Sequence, residues 1–159
     1  MRLFRLTTVQ RLPISVGEAW DFFSDPRNLP KITPRSMGFS VTSELPARMY
    51  TGMIVTYKVR PLLGVPVSWV TEITHVNEPH HFIDEQRFGP YRFWHHQHHF
   101  REIEGGVEMR DLVHYALPFG VVGGAVRRLM VGPQLTRIFT YRREILAERF
   151  GTLPEQSAS

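Results

Sequence analysis

The sequence predicts an α+β domain: a curved antiparallel sheet of about seven strands wrapped around one long C-terminal helix, with a short helical hairpin after the first strand. Three observations predict it. Between Phe39 and Leu117, runs with strand texture follow one another with only short turn material between them, so neighbours in sequence become neighbours in a sheet. A capped, periodic helical segment sits directly after the first strand. Finally, Ala125 to Phe150 reads as helix and is the only stretch long enough to cover such a sheet.

The elements follow in order. Leu3 to Arg11 alternates, with Phe4, Leu6 and Thr8 on one face and Arg5, Thr7 and Val9 on the other, until Pro13 breaks it. Ser15-Val16-Gly17-Glu18 has the spacing of a capping box, and Val16, Ala19, Trp20 and Phe23 continue at helical intervals. Asp25-Pro26 ends that helix, and Leu29 to Thr33 can form a second short turn before Pro34. The meander then comprises Phe39 to Glu44, Gly52 to Arg60, Val65 to Val76, Phe82 to Phe88, Tyr91 to Ile103 and Val107 to Leu117. Its turns carry Leu45-Pro46, Leu63-Gly64, Glu78-Pro79, Gly89-Pro90 and Gly105-Gly106. Pro118, Gly120, Gly123 and Gly124 break the chain before the helix, where Leu135, Ile138, Phe139, Ile145 and Leu146 form an apolar stripe and Pro133 should kink or restart the turn. Residues 1 to 150 form one domain on this reading, and 151 to 159, small and polar, form a disordered tail.

Composition excludes several classes of function. The chain of 159 residues contains no cysteine, which rules out disulfides, thiolate zinc sites and cysteine nucleophiles. It holds no apolar run of membrane-spanning length and no leader pattern, and a cytoplasmic protein is expected. Glycine-rich phosphate loops, the Gly-x-Ser-x-Gly elbow and the dinucleotide fingerprint are all missing. Six arginines and two glutamates between residues 123 and 150 account for the whole net charge of +4. Arg127, Arg128, Arg137, Arg142, Arg143 and Arg149 are read as the solvated face of the helix, with docking to RNA, ribosome or anionic lipid as the alternative.

Four of the eight histidines lie within His95-His96-Gln97-His98-His99. On a strand, Trp94, His96, His98 and Phe100 share one face and Phe93, His95, Gln97 and His99 the other. The first face mixes aromatics with imidazoles, which suits a ligand cavity better than a dry core, where ring nitrogens would go unpartnered. A tight closure over Ile103 to Gly106 pairs residues whose numbers add to about 209. His98 then faces Asp111, His96 faces Val113, Trp94 faces Tyr115 and Phe100 faces Met109. The alternation Val107, Met109, Asp111, Val113, Tyr115 is apolar except for one carboxylate, which needs the imidazole opposite it. His95 and His99, roughly 13 Å apart on a strand, cannot share an ion and should face solvent; His80 and His81 fall at an exposed loop. His96 and His98, at roughly 7 Å, could chelate one if Asp111 supplied a third ligand. The chain lacks the fixed motifs of known zinc enzymes, so no metal and no cofactor is expected.

The order of elements, together with Trp69-x-x-x-Ile73, Phe82-x-Asp84-x-Gln86, Gly89-Pro90-Tyr91, Trp94-x-His96-x-His98-x-Phe100, Asp111-x-Val113-x-Tyr115 and Leu117-Pro118-Phe119-Gly120, resembles the START-like or SRPBCC superfamily. Over residues 1 to 150 it is similar to the bacterial branch described as polyketide cyclase/dehydrase or SRPBCC proteins. The resemblance implies the helix-grip fold and a hydrophobic-ligand cavity, and no particular reaction. It places Trp69, Thr71, Phe82, Asp84 and Gln86 inward, on strands where Trp69, Thr71, Ile73 and His75 share a face. With the residues above, the expected ligand-binding set is Trp69, Thr71, Phe82, Asp84, Gln86, Trp94, His96, His98, Phe100, Asp111, Val113, Tyr115, Ile138 and Phe139, and Tyr57 is a weaker candidate. The expected partner is a small hydrophobic or amphipathic molecule, bound by a monomer or weak homodimer, without nucleic acid or ribosome. The alternative is a cyclase or dehydrase in which His96 or His98 moves a proton with Asp111 orienting the ring.

Overall fold

A computed structural model describes residues 2–61, 64–118 and 130–154. Ser15 caps the first helix as its spacing requires: its hydroxyl accepts from Glu18 N, and the Glu18 carboxylate accepts from Ser15 N. That helix, α1 (Val16–Phe23), follows strand β1 (Phe4–Leu12) and buries Ala19, Trp20 and Phe22. Short 3-10 helices at Pro26–Ile32 and Arg35–Met37 complete the excursion. The meander then runs β2 (Ser40–Val41), β3 (Met53–Val59), β4 (Val67–Asn77), β5 (His81–Phe88), β6 (Phe93–Ile103) and β7 (Gly106–Ala116), and α2 (Gly132–Phe150) closes the chain. The seven strands form one antiparallel sheet in the order β1-β7-β6-β5-β4-β3-β2. This is the α+β helix-grip layout.

The β6–β7 register runs from Phe93 opposite Ala116 to Ile103 opposite Gly106, with His98 opposite Asp111 as the closure required. Gly105 takes φ +78 in that turn, and Gly106 leaves no room for a side chain, since a Cβ would lie 2.1 Å from the Leu12 carbonyl oxygen. β2 is far shorter than the expected Phe39 to Glu44. On β4, irregularities fall between Val70 and Thr71 and between Ile73 and His75. The second reverses the alternation, so His75 is exposed on the outer face instead of sharing the inner face with Ile73.

Three apolar clusters pack on the concave side. One joins α1 to Phe82, Phe100, Val107 and Leu146, a second joins Trp94, Val113 and Tyr115 to Leu135 and Phe139 of α2, and a third gathers β3 around Val55 and Tyr57. Pro133 falls in the first turn of α2, where its missing N–H costs nothing. The expected helical stretch from Ala125, the glycines at 120, 123 and 124, and Arg127 and Arg128 lie partly or wholly outside the described residues. At the far end, Leu153 N donates to the Arg11 carbonyl, while 155–159 lie outside the described residues. No helix among the described residues is long and apolar enough to cross a membrane.

Candidate functional site

Between the sheet, the 3-10 segment and α2 lies a cavity of about 150 Å³. Its wall is largely aromatic and aliphatic, with Trp69, Phe82, Trp94, Ile138 and Phe139 joined by Thr71 and by Tyr57, the weaker candidate. One end is polar, and four elements build it. β6 supplies His96 and His98, β5 supplies Asp84, β7 supplies Asp111 and α2 supplies Arg142. Strand pairing sets His96 opposite Asp84 and His98 opposite Asp111, and each ring also reaches the other carboxylate diagonally. The diagonals are the shorter contacts: His96 Nε2 to Asp111 Oδ1 and His98 Nε2 to Asp84 Oδ2 are both 2.8 Å. Directly across, His98 Nδ1 lies 3.1 Å from Asp111 Oδ1 and His96 Nδ1 lies 3.5 Å from Asp84 Oδ2. The two imidazole centroids are 3.8 Å apart.

The dyad expected between His98 and Asp111 is therefore half of a four-membered ring of alternating imidazoles and carboxylates. Burial alone would neutralise such groups, and the pairing opposes it. Burial raises the Asp84 pKa, but His96 and His98 more than offset it and the value ends below the ordinary carboxylate range. Asp111 is held well below that range in the same way, by hydrogen bonds to His96 and His98 and by the charge of Arg142. For His98, burial pulls the pKa down, yet hydrogen bonds to Asp111 and Asp84 outweigh it and the value is raised. His96 is lowered, by burial first and by the neighbouring His98 charge second. Two carboxylates thus share two imidazoles and the Arg142 guanidinium, with the pKa of His98 raised and that of His96 lowered.

Arg142 corrects the reading of the arginine-rich helix as a solvated face. Only 7% exposed, it points inward with Nη1 3.5 Å from Asp111 Oδ1 and its guanidinium 4.9 Å from the centre of the Phe139 ring. Its Nε is buried without a hydrogen-bond partner among the described residues. Arg143 is engaged as well, donating to the Val9 carbonyl at 2.6 Å. A helical position is read as inward from its spacing, and Arg142 falls one turn after Ile138 and Phe139, on the stripe that carries Leu135 and Leu146. That spacing is the signal available in the sequence; charge alone masks it.

Of the expected ligand-binding residues, Trp69, Thr71, Phe82, Asp84, Trp94, His96, His98, Ile138 and Phe139 line the cavity. Five do not. Gln86 is spent on the following turn, where its amide donates to Tyr91 O and accepts from Tyr91 N. Phe100 packs under Trp20 and Phe23 of α1, and Val113 and Tyr115 are core beneath α2. Asp111 stands behind the two imidazoles, reached by Thr8 Oγ1 at 3.3 Å. Tyr91 and the 3-10 segment, through Leu29 and Ile32, line the cavity although the sequence pattern does not point to them. On the outer face His95 binds Glu85 at 2.8 Å, and His75, His81 and His99 form a stack with ring centroids 5.3 and 5.5 Å apart. His81, half-buried, begins β5 and does not lie in an exposed loop; His80 is exposed as expected.

These features define a helix-grip protein with a polar-ended cavity. No family model matches the chain, and no curated protein matches it in sequence. Solved structures match it in fold. Protein Ms6760 from Mycobacterium smegmatis superposes with a TM-score of 0.64 at 22% identity, covering 91% of this chain and 92% of that one. A protein from Thermus thermophilus gives 0.69 at 18% identity over 92% and 96%. Major latex-like protein 151 from Panax ginseng gives 0.67 at 11% identity over 96% and 99%. The likeness reaches from bacterial to plant proteins and is one of fold.

Proposed function

We propose that this protein binds a small, largely apolar molecule of about one ring in size, carrying an acceptor oxygen that enters the polar end of the cavity. Arg142 Nε, buried with no hydrogen-bond partner among the described residues, carries the reading. A buried donor without a partner costs on the order of 1 to 3 kcal/mol, and a ligand carbonyl or carboxylate oxygen removes that cost. The rest of the wall favours an apolar body, and a cavity near 150 Å³ is the size that holds a benzene-like molecule. Calorimetry with benzoate and benzene-sized apolar analogues tests the reading: benzoate should bind wild type more tightly, and Arg142→Leu should erase the preference. Equal binding of both probes by wild type, or a preference that survives Arg142→Leu, overturns it.

Proton transfer is a second reading, favoured by one observation. His96 and His98 stand side by side on the cavity wall with pKa values displaced in opposite directions, as a base and an acid would be. His98→Gln keeps a hydrogen-bonding group and removes the titratable one. A binding protein should lose about tenfold or less in affinity, whereas an acid–base enzyme should lose roughly 100-fold or more in turnover while still binding substrate.

A further inference from the structure

The two carboxylates of the four-membered ring differ in surroundings: Arg142 reaches Asp111, whereas Asp84 lines the cavity. Asp111 Oδ1 collects one nitrogen from each imidazole, Nε2 of His96 and Nδ1 of His98, at 2.8 and 3.1 Å. With N–H groups donated there, Asp111 fixes both tautomers and both ring planes. The opposite nitrogens, His96 Nδ1 and His98 Nε2, converge on one atom, Asp84 Oδ2, at 3.5 and 2.8 Å, and a hydrogen bond joins His98 Nε2 to that oxygen. A divalent cation can take the place of the proton shared there, releasing it to solvent and leaving two ring nitrogens and one carboxylate oxygen as ligands. We propose that His96 Nδ1, His98 Nε2 and Asp84 Oδ2 form a binding site for a divalent first-row transition-metal ion such as Zn²⁺, with Asp111 as the outer carboxylate that orients both rings.

Geometry supports the three donors. One atom from each of the three residues lies within 4.8 Å of the others. Ligands at about 2.0 to 2.2 Å in a tetrahedral site stand roughly 3.3 Å apart, so binding requires shifts of an ångström or so. Two imidazoles and one carboxylate are a donor set for zinc or ferrous iron, not for calcium or magnesium. A carboxylate accepting the distal N–H of each ligand histidine is the usual outer support of such a site.

The opposite pocket of the ring, at Asp111, could not hold the ion. Arg142 Nη1 lies 3.5 Å from Asp111 Oδ1 and would repel a second cation there. Asp84, His96 and His98 line the cavity, whereas Asp111 is screened from it, so only the Asp84 side leaves coordination positions open to an incoming molecule. The expectation of no metal rests on missing zinc-enzyme motifs and on Asp111 as third ligand. The strands instead bring Asp84 to that position, and no local motif records it because β5 and β6 are joined through the Gly89-Pro90 turn.

The inference is independent of which organic molecule fills the cavity. Its test uses the full chain, stripped with a chelator and titrated with Zn²⁺ by calorimetry and with Co²⁺ by visible absorption. Wild type should bind one ion per chain with a Co²⁺ spectrum of low coordination number, and its Tm should rise with added Zn²⁺. Asp84→Asn and His98→Gln should abolish the spectrum, and Asp111→Asn should weaken binding by roughly 10- to 100-fold. His99→Gln, on the outer face, should change nothing. A wild-type chain that gives no Co²⁺ spectrum and no Tm shift overturns the site even if every variant misfolds. So does binding that survives Asp84→Asn and disappears in His99→Gln, which would place the ion on the outer face. Benzoate binding that persists without any metal uptake overturns the metal site alone.

Discussion

Arg142 reaches Asp111 from α2 while His96 and His98 reach it from β6, so a single carboxylate answers for three charged or polar neighbours in a buried wall. Removing that carboxylate leaves the buried Arg142 guanidinium without its anion and both imidazoles with Asp84 alone. Asp111→Ala should therefore cost about 3 to 5 kcal/mol of folding stability by urea denaturation, the range for breaking a buried ion pair. Asp111→Asn, which still accepts a hydrogen bond, should cost clearly less. On the outer face the logic reverses. Burial, and then the charges of His75 and His80, lower the pKa of His81. Below its ordinary value of 6.5 the unfolded chain takes up a proton that the native site resists, so this contribution to stability is full above 6.5 and is lost as pH falls. The urea midpoint of wild type should decline from pH 7 to 5, and His81→Asn should flatten part of that decline. A decline equally steep in His81→Asn would show that the stack does not titrate in this window.

At the scale of elements, what can be read from sequence is whatever short-range chemistry decides. The Ser15 to Glu18 capping box is local, and it forms; Ser15→Ala should cost about 1 kcal/mol by the same denaturation assay. The β6–β7 register follows from a two-residue closure and the apolar alternation of Val107 to Tyr115, so His98 opposite Asp111 is legible in the amino-acid order alone. Gly106 tests that closure sharply. Gly106→Ala pushes a methyl into the Leu12 carbonyl and should destabilise by on the order of 2 kcal/mol or more, whereas Gly17→Ala, with only Ser15 Oγ at 3.9 Å, should be tolerated. Other features are hidden because they depend on a partner distant in sequence. The irregularity between Ile73 and His75 is set by how β4 meets β5, and it sends His75 outward. Phe100 shares a face with His98 but meets α1, and Gln86 is claimed by the Tyr91 backbone, so neither reaches the cavity. Arg142 obeys the helical period, and only its charge disguises an inward position.

For the whole molecule, a retained cavity is a cost in stability unless something occupies it. Ile138→Phe should hold or raise the Tm by filling that space, and should weaken a ring-sized ligand at least about tenfold, or roughly 1.4 kcal/mol, by calorimetry. A filled cavity with unchanged affinity would put the ligand elsewhere. The contacts that close the C-terminal part of the chain have a separate effect. β1 is the outer strand at one end of the sheet, and its Val9 carbonyl accepts from Arg143 while its Arg11 carbonyl accepts from Leu153 N. The strand at the other end, β2, is two residues long. An incoming peptide strand therefore finds two acceptors of one border, at Val9 and Arg11, already taken, which shortens the stretch of β1 open to templated strand addition, the common route to cross-β association.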